Sequence, residues 1–315
     1  MTKIRVAIWG YGNLGHAVEE SLVRTQNVEL VCIFSHRNSV TSPHSTVIEN
    51  TKNILGYKDK LDLICICSGS YSSAYDDILY LSKYFDTISS FDTHSLIPEI
   101  YQKLKSITTS NNTFSILSVG WDPGLFSCAR TVFYSFLQTT PYCFWGKGTS
   151  LGHTEAAKSV SGVKDALSVT IPIHGATSLA KQGIAPPKPL HKRLVYVLPE
   201  TTANTTQLAK QIKSIPNYFA GERTTVRFVS KVELDNLKSL SHAGNVICMS
   251  DDDTLLELNA KMASNPSFTA KIMTAYVRVK SRLKQKYGCG AFTPLHFSPI
   301  DLSPESELDT IKKFC

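Results

Sequence analysis

Ile4-Arg5-Val6-Ala7-Ile8-Trp9-Gly10-Tyr11-Gly12-Asn13-Leu14-Gly15 reads as a β-branched strand that breaks into G-x-G-x-x-G and then enters a helix. The helix is indicated by Ala17, Val18, Ser21 and Leu22, which recur at helical spacing with Glu19 and Glu20 between them. The glycine pattern alone is weak; its place between strand and helix gives it meaning. The first glycine permits a tight turn and the second lets a pyrophosphate approach the backbone. The third lets helix and strand pack closely, and the helix N-terminus offers N–H groups to the phosphates. Gly10, Tyr11, Gly12, Asn13, Leu14 and Gly15 are thus the expected cofactor loop.

Outward from that loop, strand-like runs at 28–34, 61–67 and 114–119, with a short strand reaching Asp92, alternate with helical patterns at 74–84 and 97–107. This order predicts an α/β fold with a doubly wound parallel sheet of the Rossmann type. After Gly120-Trp121-Asp122-Pro123-Gly124 the character changes, and to about residue 260 the strands read as more antiparallel. Candidate strands at 193–198 and 225–232 flank a helix near 207–215, and 183–190 reads as a loop. A helix over 268–287 is expected to pack back onto the first domain. The expected division is 1–121, joined by about 266–315, and an α+β domain over 122–265.

The end of the second strand selects the cofactor. A carboxylate there would accept the ribose 2′-hydroxyl of NAD, but this chain has Ser35-His36-Arg37. Arg37 can form a charge-assisted fork to a 2′-phosphate and Ser35 can donate to it, so NADP is favoured.

Composition narrows the function classes. The 315 residues are 42% hydrophobic and 19% charged, as in an ordinary globular protein, and no apolar run is long enough for a membrane span. The N-terminus lacks a signal pattern, which with the scattered cysteines predicts a cytoplasmic protein. The net charge of +7 suits a polyanionic cofactor or a dicarboxylate, and no nucleic-acid motif accompanies it. The basic run 280–286 is expected to be a solvated helix face. Cys65 and Cys67 are read as pointing to opposite strand faces, and the eight cysteines lack zinc spacing, so no metal is expected.

Further motifs are Ile33-Phe34-Ser35-His36-Arg37, Gly120-Trp121-Asp122-Pro123-Gly124-Leu125-Phe126-Ser127, Phe144-Trp145-Gly146, Gly152-His153 and His191-Lys192-Arg193. Pro216-Asn217-Tyr218-Phe219, Asn265-Pro266, Phe268-Thr269-Ala270 and Gly290-Ala291-Phe292-Thr293 complete the series. In this order, from end to end, they resemble the diaminopimelate dehydrogenase family. The resemblance implies NADP-dependent, reversible oxidative deamination of the D-centre of meso-2,6-diaminopimelate to L-2-amino-6-oxopimelate and ammonia, a reaction of lysine and peptidoglycan precursor synthesis. It implies Asp92 and Asp122 as catalytic residues and substrate contacts, since two carboxylates at strand ends can hold the reacting ammonium or orient water. Trp121 and Trp145 shape the pocket, and Leu151, Gly152, His153, Thr154 and Glu155 lie along the substrate. Thr170, Arg193, His242 and Asn265 take the distal end, where the Arg193 fork suits a carboxylate. Cofactor contacts extend to Ser35, His36, Arg37, Cys67, Ser68, Gly69, Ser70, Ser90, Phe91, Val119, Gly120 and Pro123. The family is dimeric, so the domain over 122–265 is expected to bind substrate and form a homodimer.

The chain departs from the family pattern at four positions. His36 replaces an arginine, Leu151 a glutamine, Glu155 an aspartate and Asn245 a histidine. Leu151 removes a polar partner at the distal end, so relaxed selectivity toward D-amino acids is one alternative. A related Rossmann oxidoreductase and a non-catalytic NADP-binding sensor are the others.

Overall fold

The computed structural model describes residues 3–37, 39–237 and 241–315, so Met1 and Thr2 of the N-terminal reading lie outside it. The chain divides into two compact units, Met1–Ser127 with Pro266–Cys315, and Cys128–Asn265.

The first unit is built on a seven-stranded, wholly parallel sheet. Its strands are β1 (Ile4–Trp9), β2 (Val28–Ser35), β3 (Ile48–Asn50), β4 (Leu63–Ile66), β5 (Thr87–Ser89), β6 (Phe114–Ile116) and the last strand of the chain, β14 (Gly290–Phe292). The order β14-β6-β5-β4-β1-β2-β3 reverses direction at β1, and the carboxyl ends flanking such a reversal are where open α/β sheets bind ligands. Both faces are covered, which is why β1 reads as a continuous apolar run rather than an alternation. Val6 and Ile8 join one core with Val18, Met273, Val277 and Leu283. Ala7 and Trp9 join the other with Ile64, Ile66, Ile78 and Leu104. The helix Asn265–Tyr287 thus supplies core residues to this sheet.

Two details differ from expectation. The basic run is only partly a solvated face: Arg282 and Lys286 stay exposed, whereas Lys280 is 7% exposed and pairs with Asp86 at 2.7 Å, and Lys284 reaches the same carboxylate. Arg282 and Lys286 bond to Asp301, one to its carbonyl and the other to its carboxylate. Cys65 and Cys67 share a core rather than diverging, because residues two apart in an extended chain face the same way. Both thiols are pushed up by burial.

In the second unit one sheet has the order β11-β10-β9-β8 and another the order β13-β12-β7. The strands are β7 (Tyr142–Trp145), β8 (Gly148–Thr149), β9 (Val163–Pro172), β10 (His191–Pro199), β11 (Arg223–Phe228), β12 (His242–Met249) and β13 (Leu255–Met262). Pairing is antiparallel except between β10 and β11, which run parallel. Val232, placed by sequence at a strand end, lies instead in the helix Lys231–Leu237. Ala156, Ala157, Val195, Val197, Leu208 and Ile212 form the core on one face of the four-stranded sheet. No helix among the described residues is long and apolar enough to cross a membrane.

Candidate active site

In the first unit, the glycine loop closes β1 onto the helix Asn13–Leu22. Gly10 has φ +89°, and a Cβ on it would lie 2.8 Å from the Ser68 amide nitrogen. A Cβ on Gly15 would lie 2.3 Å from the Gly10 carbonyl oxygen, whereas one on Gly12 would meet nothing within 4 Å. Gly10 and Gly15 therefore serve the fold, and Gly12 keeps a space open. Tyr11 turns inward: its hydroxyl donates to the buried Glu19, which also accepts from Thr46 at 2.6 Å. Burial and Glu19 raise the Tyr11 phenol. Glu19 was legible only as a polar helix position, and its burial became visible only with its partners in place.

Arg37 donates to the Tyr11 carbonyl, and its own amide N–H donates to Ser35 Oγ at 3.1 Å. A guanidinium is thus drawn against the glycine loop. His36 is engaged elsewhere, with Nδ1 2.9 Å from Thr51 Oγ1. Along the neighbouring strand ends, Ser68 Oγ is buried without a partner. Cys67, Phe91 and Val119 give their side chains to the cores, leaving backbone at the edge; Gly69 is exposed and Ser90 half-buried there. These observations fit a dinucleotide: an open approach over Gly12, an unpaired hydroxyl on Ser68, whose backbone abuts Gly10, and a cation at the end of β2.

The structure brings Asp92 and Asp122 close enough to interact. Asp92 keeps solvent access, yet desolvation raises its carboxyl above the usual range and the Asp122 charge adds to this. The Ser70 hydroxyl and His94 oppose the rise, and Ser70 Oγ also accepts the Asp92 N–H at 3.1 Å. Trp121 is buried with its ring edge-on to Phe126 at 5.2 Å. Gly120 and Pro123 lie in the same turn, closed by Leu125 N–H to the Gly120 carbonyl.

The second unit carries a different arrangement. Thr170 and Arg193 face each other across β9 and β10, and Arg193 Nη1 donates to Thr170 Oγ1. The guanidinium is only 6% exposed, Nε has no hydrogen-bond partner, and Glu222 Oε2 stands 3.7 Å from it. Burial lowers the Arg193 pKa and Glu222 opposes that. Two imidazoles feel this charge. His153 is pushed down to about 3, by burial first and Arg193 second. His242 is also lowered by burial, while its bond to the Ala243 carbonyl raises it and Arg193 lowers it further. Both are therefore neutral near pH 7 and can accept as well as donate. His242 approaches this closely because position 148 is glycine: a Cβ there would lie 2.6 Å from the His242 Cα.

Trp145 stacks on His191 with ring centroids 4.8 Å apart, and its backbone N–H donates to His191 Nε2 at 2.7 Å. Sequence reasoning placed Trp145 but gave His191 no role, although it lies two residues before Arg193. Leu151, Gly152, His153 and Thr154 open the helix Leu151–Lys158, where Thr154 is buried and holds the Ser150 carbonyl. Glu155 is exposed and paired with Lys158 rather than with the Arg193 group. Asn265 is half-buried at the start of the long helix.

A doubly wound sheet with this loop, together with paired carboxylates and a buried guanidinium, defines an NADP-dependent amino-acid dehydrogenase. The family described as "Diaminopimelic acid dehydrogenase C-terminal domain" matches residues 120–263. The meso-diaminopimelate D-dehydrogenase of Ureibacillus thermosphaericus is 36% identical over 99% of each chain. Among solved structures, Corynebacterium glutamicum DAP dehydrogenase in complex with DAP superposes with a TM-score of 0.93, at 32% identity and 100% of both chains. An engineered D-amino acid dehydrogenase bound to NADP+ gives 0.94, at 31% identity and the same coverage. The chain belongs to the meso-diaminopimelate D-dehydrogenase family.

Proposed function

We propose that the protein catalyses the reversible, NADP-dependent oxidative deamination of the D-centre of meso-2,6-diaminopimelate, giving L-2-amino-6-oxopimelate and ammonia. The observation that carries this reading is Arg193, a buried guanidinium bonded to Thr170, whose Nε has no hydrogen-bond partner among the described residues and meets only the Glu222 carboxylate, at 3.7 Å. Such a group costs several kcal/mol when uncompensated, and a ligand carboxylate offsets that cost.

In this reading the first unit holds the cofactor through Gly10–Gly15, Ser68 and Arg37. When bound, the oxidised nicotinamide accepts the hydride that leaves the D-carbon. Asp92 and Asp122 hold the reacting ammonium by charge, and the raised carboxyl of Asp92 suits it to take the ammonium proton. The resulting imine adds water oriented by the same carboxylates and releases ammonia. Arg193, Thr170 and His242 take the distal carboxylate. The half-buried Leu151 supports a second reading, in which the distal grip is looser and simple D-amino acids are also oxidised.

The test is NADPH formation by purified protein with meso-diaminopimelate beside an Asp92→Ala variant. Turnover lost in the variant supports the reading; tight NADP binding without turnover by either protein favours a sensor. Activity on D-alanine or D-leucine separates the relaxed reading from the strict one.

The same proposal includes a homodimer. The helix Leu125–Leu137 exposes Val132 and Phe136 one turn apart on one face, apolar side chains of the kind that a second copy would cover, with Tyr134 exposed on another face. No disulfide joins the eight cysteines, which supports a reducing, cytoplasmic setting, and the reaction belongs to the synthesis of lysine and peptidoglycan precursors.

A further inference from the structure

We propose that Glu222 is a specificity-determining residue that receives the distal ammonium of the substrate, next to the carboxylate held by Arg193. The inference rests on the proposed substrate and assigns its second distal charge. An amino-acid centre presents carboxylate and ammonium on one carbon, so a site that reads it needs a cation and an anion within a few ångströms of each other. Arg193 and Glu222 supply that pair at 3.7 Å. Their burial is unequal: the Arg193 side chain is 6% exposed and that of Glu222 34%, so the anion remains open to an incoming group while the cation is fixed.

The backbone explains the placement. Thr170, Arg193 and Thr224 occupy one row across β9, β10 and β11, and side chains in register share a sheet face. Glu222 lies two residues before Thr224, at the mouth of β11, where its N–H donates to the Phe219 carbonyl at 3.0 Å. The row has unused hydrogen-bonding capacity: Arg193 Nε, Thr224 Oγ1 and, two residues along β9, Ser168 Oγ are buried without hydrogen-bond partners. Native proteins leave few such groups, and several together mark a place where a polar ligand belongs. The two imidazoles that sense Arg193, His153 and His242, are neutral and add no competing positive charge. Glu222 therefore supplies a negative charge beside the guanidinium, and it restores a polar contact at the end where Leu151 lacks one.

The experiment compares meso-diaminopimelate with D-2-aminopimelate, which keeps the distal carboxylate and lacks the distal ammonium, in wild type and Glu222→Gln. Thermal melts accompany the kinetics. The expected result is a roughly tenfold fall in the ratio of kcat/KM values for the two substrates, expressed in the KM for meso-diaminopimelate. Glu222→Asp, which keeps the charge, should recover part of that ratio. Equal losses on both substrates would mean that Glu222 only supports Arg193, and no change on either would mean that it touches neither charge; both overturn the proposal. Absence of wild-type turnover of meso-diaminopimelate removes the parent reading and this one with it, and it is read before any variant is compared.

Discussion

The carbonyl oxygen of Gly10 occupies the space where a side chain on Gly15 would begin, 2.3 Å from an ideal Cβ. Gly12, midway between them, faces nothing within 4 Å. The two glycines therefore fail differently. Gly15→Ala must push the first helix off β1 and is expected to cost about 3 kcal/mol in urea unfolding. Gly12→Ala should melt like wild type and bind NADP at least ~100-fold more weakly by calorimetry, since its methyl enters the pyrophosphate path. Normal NADP affinity in Gly12→Ala would remove the loop from the cofactor site.

Arg37 is the cation that distinguishes the two nicotinamide cofactors, because only NADP carries a 2′-phosphate. Charged hydrogen bonds are worth about 1.5–3 kcal/mol, so Arg37→Ala should raise the Kd for NADP by roughly 10- to 100-fold. NAD binding should barely change. An equal loss for both cofactors would assign Arg37 to the loop, through its bond to the Tyr11 carbonyl, rather than to the phosphate.

Asp301 gives the first unit an acid-sensitive fastening. Burial works to raise its carboxyl, but bonds from Lys286, Tyr287 and Ser298 outweigh this and hold it well below the usual range. A depressed folded-state pKa contributes stability that is complete above the unfolded value, near 4, and is lost as pH falls from there toward the folded value. Asp301→Asn should therefore lose about 2 kcal/mol at pH 7, a figure discounted for the exposed Lys286. Its stability should also fall less steeply than that of wild type between pH 5 and pH 2. Parallel pH profiles in urea unfolding would contradict this.

Phe136, 74% exposed, is the most open large apolar residue of its helix. Phe136→Asp should yield a monomer in sedimentation equilibrium under conditions where the wild type is a dimer. A variant that sediments as the wild type does would move the interface away from this face.

Much of the first unit was legible because its signals are local. β1, the glycine loop and the first helix announce themselves through strand chemistry, turn chemistry and helical spacing within about twenty residues. β3 and β14 were not legible: each has three residues, and β14 begins with a glycine, too little for any periodicity to develop. Lys280 looked like a solvated charge because spacing describes a helix face and not what packs on it; its partner Asp86 lies nearly two hundred residues earlier. In the second unit, Arg193 and Thr170 were marked by the family resemblance alone, and their bond to each other becomes visible only once β9 and β10 are paired. Glu222 gave no signal, being one acid in a turn after Gly221. The electrostatics of the site depend on which strands become neighbours, and that information is spread over the whole chain.

Strand β14 completes the first sheet against β6, Gly290–Phe292 beside Phe114–Ile116. Between these strands in the sequence lies the entire second unit. During synthesis, the nascent first unit thus leaves the ribosome with the edge of β6 bare and its core still waiting for Met273 and Val277. The later-made unit can finish folding before the earlier one. A chain released early, ending near residue 265, would hold a complete second unit and a first unit whose open strand invites pairing with other chains.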